Sequence, residues 1–198
     1  MHIGLTGGIA TGKSTVSSLL IKKGAMLVDA DVIAREVMLP GHPVLAAVAE
    51  HFGQVILQSD GTLDRKKLGS IVFSDPEELK ALNAISHPAI RQEIRTRMVT
   101  LEENDPDRLV VVDIPLLYES GYESVIHEVM VVYTPRALQK ERLMKRDQLV
   151  SGQADLRLGA QMDIEDKRNR ADWVIDNSHS LVDTERQVDE FWLRKGLV

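Results

Sequence analysis

Residues Gly7-Gly8-Ile9-Ala10-Thr11-Gly12-Lys13-Ser14 fit the pattern G-x-x-x-x-G-K-[ST]. Its glycines let consecutive backbone N–H groups turn inward around an anion. A helix that starts at the end of such a loop adds its partial positive charge. In that setting Lys13 reaches the β- and γ-phosphates of a nucleotide, and the Ser14 hydroxyl supplies a ligand to the magnesium ion bridging them. The bland alternative is a glycine-rich strand-to-helix turn, so the flanking elements decide.

Other charged residues fall at telling places. Asp29 and Asp31 follow the apolar run 25–28, and in extended geometry both point to the crevice at the carboxyl end of a sheet. Asp31 then stands where a phosphoryl acceptor lies, or else it N-caps a helix over 32–38; the first reading is favoured. Asp113 closes the run 109–113 and either supports the magnesium shell or caps the next turn, the former being favoured. Arg142, Lys145 and Arg146 have i, i+3, i+4 spacing and can converge on one anion. They form either a solvated face or part of a lid over nucleotide phosphates. Arg91 and Arg95 lie on a helical face beside His87, as plain surface charges or as a clamp on an anionic substrate.

The elements that must hold these groups are legible. Residues 2–5 read as a buried strand broken by Thr6-Gly7-Gly8. A helix follows from Ser14 with Val16, Leu19 and Leu20 on one face, and Gly24 sits at its C-cap. Further buried strands are expected at 25–28, 109–113, 129–133 and 173–175. Between 40 and 108 the character is helical, with a break at Pro40-Gly41-His42-Pro43, a turn at Ser59-Asp60-Gly61, a helix opened by Asp75-Pro76 and an interruption at Pro88. Pro135 starts the helix that carries Arg142, Ser151-Gly152-Gln153 supplies a turn in the lid, and Ser180 precedes a last amphipathic helix. Five strands interleaved with helices give an α/β fold, a parallel sheet covered on both faces.

A chain of 198 residues buries enough surface to need no disulfide, and zero cysteines exclude thiolate metal sites and a cysteine nucleophile. No apolar stretch approaches the length of a membrane span, so a cytoplasmic protein without a membrane partner is expected. The net charge of −6 argues against nucleic acid as a partner. The oligomeric state is open at this stage.

Leu5 to Thr15, Asp29-Ala30-Asp31-Val32-Ile33-Ala34-Arg35, His87-Pro88, Asp113-Ile114-Pro115-Leu116-Leu117-Tyr118-Glu119, Lys145-Arg146-Asp147 and Asp176-Asn177 together resemble the dephospho-CoA kinase family, in order and over nearly the whole chain. The resemblance implies transfer of the γ-phosphoryl group of ATP, with Mg2+, to the 3′-hydroxyl of the dephospho-CoA ribose, the last step of coenzyme A synthesis. It implies a P-loop kinase fold like that of nucleoside monophosphate kinases. Residues 1–39 and 109–198 then form the nucleotide-binding core with a small lid near 142–160, and 40–108 bind the acceptor. Asp31 matches the carboxylate that takes or orients the ribose proton. Residues Ala10, Thr11, Gly12, Lys13, Ser14 and Thr15 match the nucleotide-phosphate loop. Arg142 matches a lid arginine, which Arg146 can assist at the phosphates. Asn177 suits an adenine-side contact, and His87 falls on the acceptor side. Ala10 and Thr11 stand where relatives often have Gly and Ser, a change that a nest of backbone N–H groups tolerates.

Two rivals remain at this stage. Another small-molecule or nucleotide kinase shares Lys13, Ser14 and the lid but differs in the acceptor region. A GTPase-type switch lacks support, because no D-x-x-G or N-K-x-D follows the loop.

Overall fold

The computed structural model describes residues 1–126 and 128–197. Five strands, β1 (His2–Gly7), β2 (Met26–Asp29), β3 (Val110–Asp113), β4 (Val129–Tyr133) and β5 (Trp173–Asp176), form one sheet in the order β2-β3-β1-β4-β5. β1 pairs in parallel with β3 and β4, and β4 with β5. Every residue of β3 and β4 is buried, as strands covered on both faces require. The parallel α/β sheet expected from the sequence is borne out.

Nine α-helices accompany these strands among the described residues: α1 (Lys13–Lys22), α2 (Ala30–Glu36), α3 (Pro43–Phe52), α4 (Arg65–Ser74), α5 (Pro76–Asn104), α6 (Arg136–Asp147), α7 (Ser151–Gly159), α8 (Ile164–Asn169) and α9 (Leu181–Arg194). By contacts the chain divides into two compact units, one of Met1–Val28 with Met98–Val198, the other Asp29–Arg97.

In the first unit, Ile3 and Leu5 of β1 join Val111, Met130, Val132 and Ile175 in a core closed by Val16 and Leu20 of α1 and by Val188, Phe191 and Trp192 of α9. Each such side chain contributes about 1.5–3 kcal/mol on burial. Gly4 faces the other way, where an added Cβ would stand 2.7 Å from Ile126 and 2.8 Å from Leu117. A side chain at that position would have to push both of them off the central strand. The start of α9 is held by a capping box, Ser180 Oγ accepting from the Asp183 N–H at 3.2 Å while the Asp183 carboxylate accepts from the Ser180 N–H at 3.3 Å.

The second unit is helical. Ile33, Val44, Leu45, Val48, Ile56, Leu68, Ile90 and Ile94 are among its buried apolar residues. The turn expected at Ser59-Asp60-Gly61 is present, with the Gln58 N–H donating to the Thr62 carbonyl at 2.8 Å.

Four local expectations are corrected. β1 does not stop at Leu5 but runs to Gly7, because β4 pairs with it through Gly7↔Val132. α5 passes through Pro88 unbroken. Proline inside a helix costs one hydrogen bond and about 3 kcal/mol, but the carbonyl it orphans belongs to exposed Ala84, where water can serve it. The buried stripe Ile90, Ile94 and Met98 carries the helix onward. Ser151-Gly152-Gln153 opens α7 instead of making a turn; the reversal falls at Gln148, whose φ is 53°. Finally, α2 begins two residues early, because Asp29 is its cap. The Asp29 Oδ1 accepts from the N–H groups of Asp31 at 2.8 Å and Val32 at 3.1 Å. Asp31 therefore lies in the first turn of a helix, not in an extended segment beside Asp29.

Candidate active site

The loop from Gly7 to Gly12 joins β1 to α1. Gly12 has a φ of 87° and an added Cβ there would sit 2.0 Å from Asn177 Nδ2, so glycine is required on both counts. Because Gly12 is the N-cap, no side chain caps α1, and its first turn holds no acid. α2, α3, α4, α8 and α9 all have a side chain accepting at that end. No side chain of the protein thus competes with an outside anion at the head of α1. Ala10 takes a φ of 62°, a conformation that costs a non-glycine residue about 1–2 kcal/mol.

Lys13 is the first residue of α1, and its ammonium pairs with the Asp113 carboxylate at the end of β3. Asp113 is 7% exposed. Ser14 follows, exposed. These two oxygen donors fit magnesium, which takes one or two protein oxygens and completes its shell with phosphate and water. Such a site needs no dense acidic cluster, and among the described residues no group of three or more His, Cys, Asp or Glu side chains is placed to hold a metal.

Around the loop stands a second set of residues whose work is to hold it. Asn177 Nδ2 donates to the Thr11 carbonyl at 2.8 Å, while Asn177 Oδ1 accepts from Thr184 Oγ1 at 2.8 Å. Both ends of this carboxamide, expected on the adenine side of ATP, are engaged by protein and tie the loop to α9. Fully buried Thr134 donates to the Thr11 carbonyl at 3.2 Å, and Gln139 donates to the Thr134 carbonyl at 2.8 Å. The Ile9 N–H donates to Gln161 Oε1 at 2.8 Å. Behind the loop lies Lys167, fully buried and bonded to the Gly7 and Pro115 carbonyls. Gln161 and Lys167 escape sequence reading, since residues 161–167 look like an ordinary solvated stretch, and only the bond to the Ile9 N–H singles out Gln161 and only burial singles out Lys167.

Arg142 and Arg146 of α6 have separate partners. Arg142 donates from Nη2 to the Asn177 carbonyl at 2.9 Å and from Nη1 to Thr134 Oγ1 at 3.3 Å, so it is fixed across the ends of β4 and β5. Arg146 pairs with Asp147 at 2.7 Å, and Arg157 joins the same carboxylate at 2.6 Å. Lys140 pairs with Asp155 at 2.6 Å. Leu143, Ala154 and Leu158 of α6 and α7 form a small core with Ile9 and Ala10, which seats this helical pair directly on the phosphate loop.

In the second unit Asp31 is exposed. Arg91 is partly buried one turn beyond His87, and Arg95 is exposed. A separate cleft of about 440 Å³ is lined by Glu36, His42, Gln92, Glu93 and Arg97. Its arginine is engaged by both Glu36 and Glu93, so it offers an anion little. His87 is held below its ordinary value of 6.5, first by burial and second by the Arg91 guanidinium. A histidine whose pKa falls on folding contributes stability that is full above about pH 6.5 and is lost as the pH falls through the depressed native value. His87→Gln should therefore flatten the decline of the unfolding midpoint below about pH 6.5. NMR titration should place the parent imidazole below 6.5, and Arg91→Gln should move it upward. An imidazole that titrates at or above 6.5 in the parent would contradict this.

A family model described as dephospho-CoA kinase matches residues 1–183. The chain belongs to the dephospho-CoA kinase family. It is 48% identical over 195 residues to a dephospho-CoA kinase of Enterococcus faecalis, covering 98% of this chain and 96% of the relative. A dephospho-CoA kinase structure from Campylobacter jejuni superposes with a TM-score of 0.76 at 35% identity, covering 98% of each chain. A shikimate kinase from Acinetobacter baumannii, at 17% identity and a TM-score of 0.51 over 98% of this chain and 93% of that one, shares the fold alone. The expected P-loop kinase architecture is thus shown for this member of the dephospho-CoA kinase family.

Proposed function

We propose that this chain transfers the γ-phosphoryl group of ATP to the 3′-hydroxyl of dephospho-CoA, giving coenzyme A and ADP. The observation that carries the reading is the uncapped N-terminus of α1 with Lys13 and Asp113 beside it, in a chain of this family. Residues 10–15 bind the triphosphate through backbone N–H groups and Lys13. The ribose O3′ forms a bond to the γ-phosphorus, the bond from that phosphorus to the β,γ-bridging oxygen breaks, and the O3′ proton passes to the Asp31 carboxylate. Lys13 and Arg142 offset the charge that spreads over the transferred group and the leaving ADP. Ser14 and Asp113 would hold Mg2+, which would supply charge neutralisation to the nucleotide phosphates. Arg146 assists at the nucleotide. His87 and Arg91 lie on the acceptor side, within residues 40–108. The nucleotide core is residues 1–39 and 109–198, with its lid near 142–160. Among the described residues no helix is long and apolar enough to cross a membrane, which agrees with a place in the cytoplasm.

ADP release measured against a panel of acceptors tests this reading. Dephospho-CoA should support turnover, whereas shikimate and nucleoside monophosphates should not; the reverse order would sink it.

Asp31 and Asp29 can now be separated by substitution, because the cap belongs to Asp29. Asp31→Asn should fold with parental stability and lose at least about 10²-fold in kcat, the ordinary worth of a positioned general base. Asp29→Ala should lose about 0.5–2 kcal/mol of stability through its cap. Near-parental turnover in folded Asp31→Asn would remove the carboxylate from the chemistry.

A further inference from the structure

Lys167 of α8 is the largest charged side chain that the structure buries completely, with zero exposure. Its three N–H donors meet three acceptors: the Gly7 carbonyl at 3.2 Å, the Pro115 carbonyl at 3.3 Å and the Glu119 carboxylate at 2.8 Å. The places of those acceptors matter. β3 ends at Asp113, opposite Leu5, so β1 runs past it through Thr6 and Gly7 without a partner on that side. Thr6 Oγ1 donates to the Pro115 carbonyl at 3.0 Å, and the Lys167 ammonium bridges that same carbonyl to Gly7. One cation thus replaces the missing ladder between the first residue of the phosphate loop and the chain just after Asp113. Glu119 also accepts from the Met162 N–H at 3.0 Å, next to Gln161, which holds the Ile9 N–H.

Stability alone does not account for such a group. Lys167 is buried while its partner Glu119 reaches solvent; replacing buried charges by apolar groups of similar volume is often neutral or stabilising, so keeping the cation calls for a role that charge and geometry serve. We propose that Lys167 is a positioning residue for phosphoryl transfer: by tying Gly7 to Pro115 it fixes the loop N–H groups and the Lys13–Asp113 pair relative to one another. This rests on the proposed phosphoryl transfer and adds a residue that touches no substrate.

The test is the double variant Lys167→Met with Glu119→Gln, which removes both charges and leaves neither ion without its partner, while the glutamine still accepts from Met162. Calorimetry with MgATP, thermal unfolding and steady-state kinetics are read together. The expected result is a folded protein whose ATP dissociation constant and KM for ATP rise about tenfold, with kcat lower by on the order of 10²-fold, as for misplaced reacting groups. KM for dephospho-CoA should stay within about twofold, since Lys167 acts only on the nucleotide side. Parental kcat and ATP affinity in the folded variant, with only the unfolding midpoint changed, would overturn the proposal. A second measurement needs no variant: the slowly exchanging ammonium signal of Lys167 in 15N-lysine-labelled parent protein should shift when MgADP binds, and an unmoved signal would equally overturn it. Because calorimetry and NMR need no acceptor, they stand even if the parent fails to phosphorylate dephospho-CoA, which would instead refute the function.

Discussion

Lys13→Ala is expected to lower turnover by at least about 10²–10³-fold in a protein that stays folded. Its ammonium stands at the head of α1, whose lack of a side-chain cap and of a first-turn acid already favours an anion. Lys13 adds the one full positive charge that the loop itself carries, aimed at the oxygens where charge builds as the γ-phosphoryl group leaves. The substitution also strips Asp113 of this cation, and losing a partner of a largely buried carboxylate costs about 1–3 kcal/mol. A modest fall in the unfolding midpoint is thus part of the expected result. Asp113→Asn combined with Lys13→Met restores the electrostatic balance and should recover the midpoint without recovering turnover. Parental turnover in folded Lys13→Ala would remove the loop from the mechanism.

Arg142→Ala should be the second large effect, on the order of 10³-fold or more in kcat, the range of arginines that meet the transferred phosphoryl group. Its guanidinium is already fixed by Asn177 and Thr134 at the ends of two core strands, so little ordering remains to be paid when charge develops. Arg142→Lys keeps the charge but not the planar fork, and should recover only a small part of the loss. The diagnostic is the split between constants: a transition-state role lowers kcat with a small change in ATP affinity. A variant that loses only ATP affinity would reassign Arg142 to ground-state binding. Arg146, engaged with Asp147 on an exposed face, should show a much smaller effect than Arg142.

The phosphate loop was legible because its function depends on consecutive residues, and β1, β3 and β4 because burial on both faces demands unbroken apolar runs, whereas the edge strands β2 and β5 keep the run but leave Leu27 and Val174 exposed. What depends on contacts between distant residues was hidden. The bond from Lys167 to Gly7 spans 160 positions, and nothing in a run of acids and bases marks one lysine as buried. Asn177 was visible as a residue at a strand's end, but its ties to Thr11 and Thr184 came only with the fold. The roles of Asp29 and Asp31 turned on a helix start two residues earlier than the periodicity suggests, a shift that alternation in a short strand cannot resolve. Pro88 misled for a related reason, since its local cost is real but the buried stripe of α5 outweighs it.

Incubating the purified protein with ATP, Mg2+ and dephospho-CoA, and following the products by mass spectrometry and 31P NMR, tests the central claim most directly. The account predicts equal amounts of ADP and of dephospho-CoA bearing one new phosphoryl group as a 3′-monoester. ADP formed without a phosphorylated acceptor, or a phosphoryl group placed elsewhere than on O3′, would contradict it.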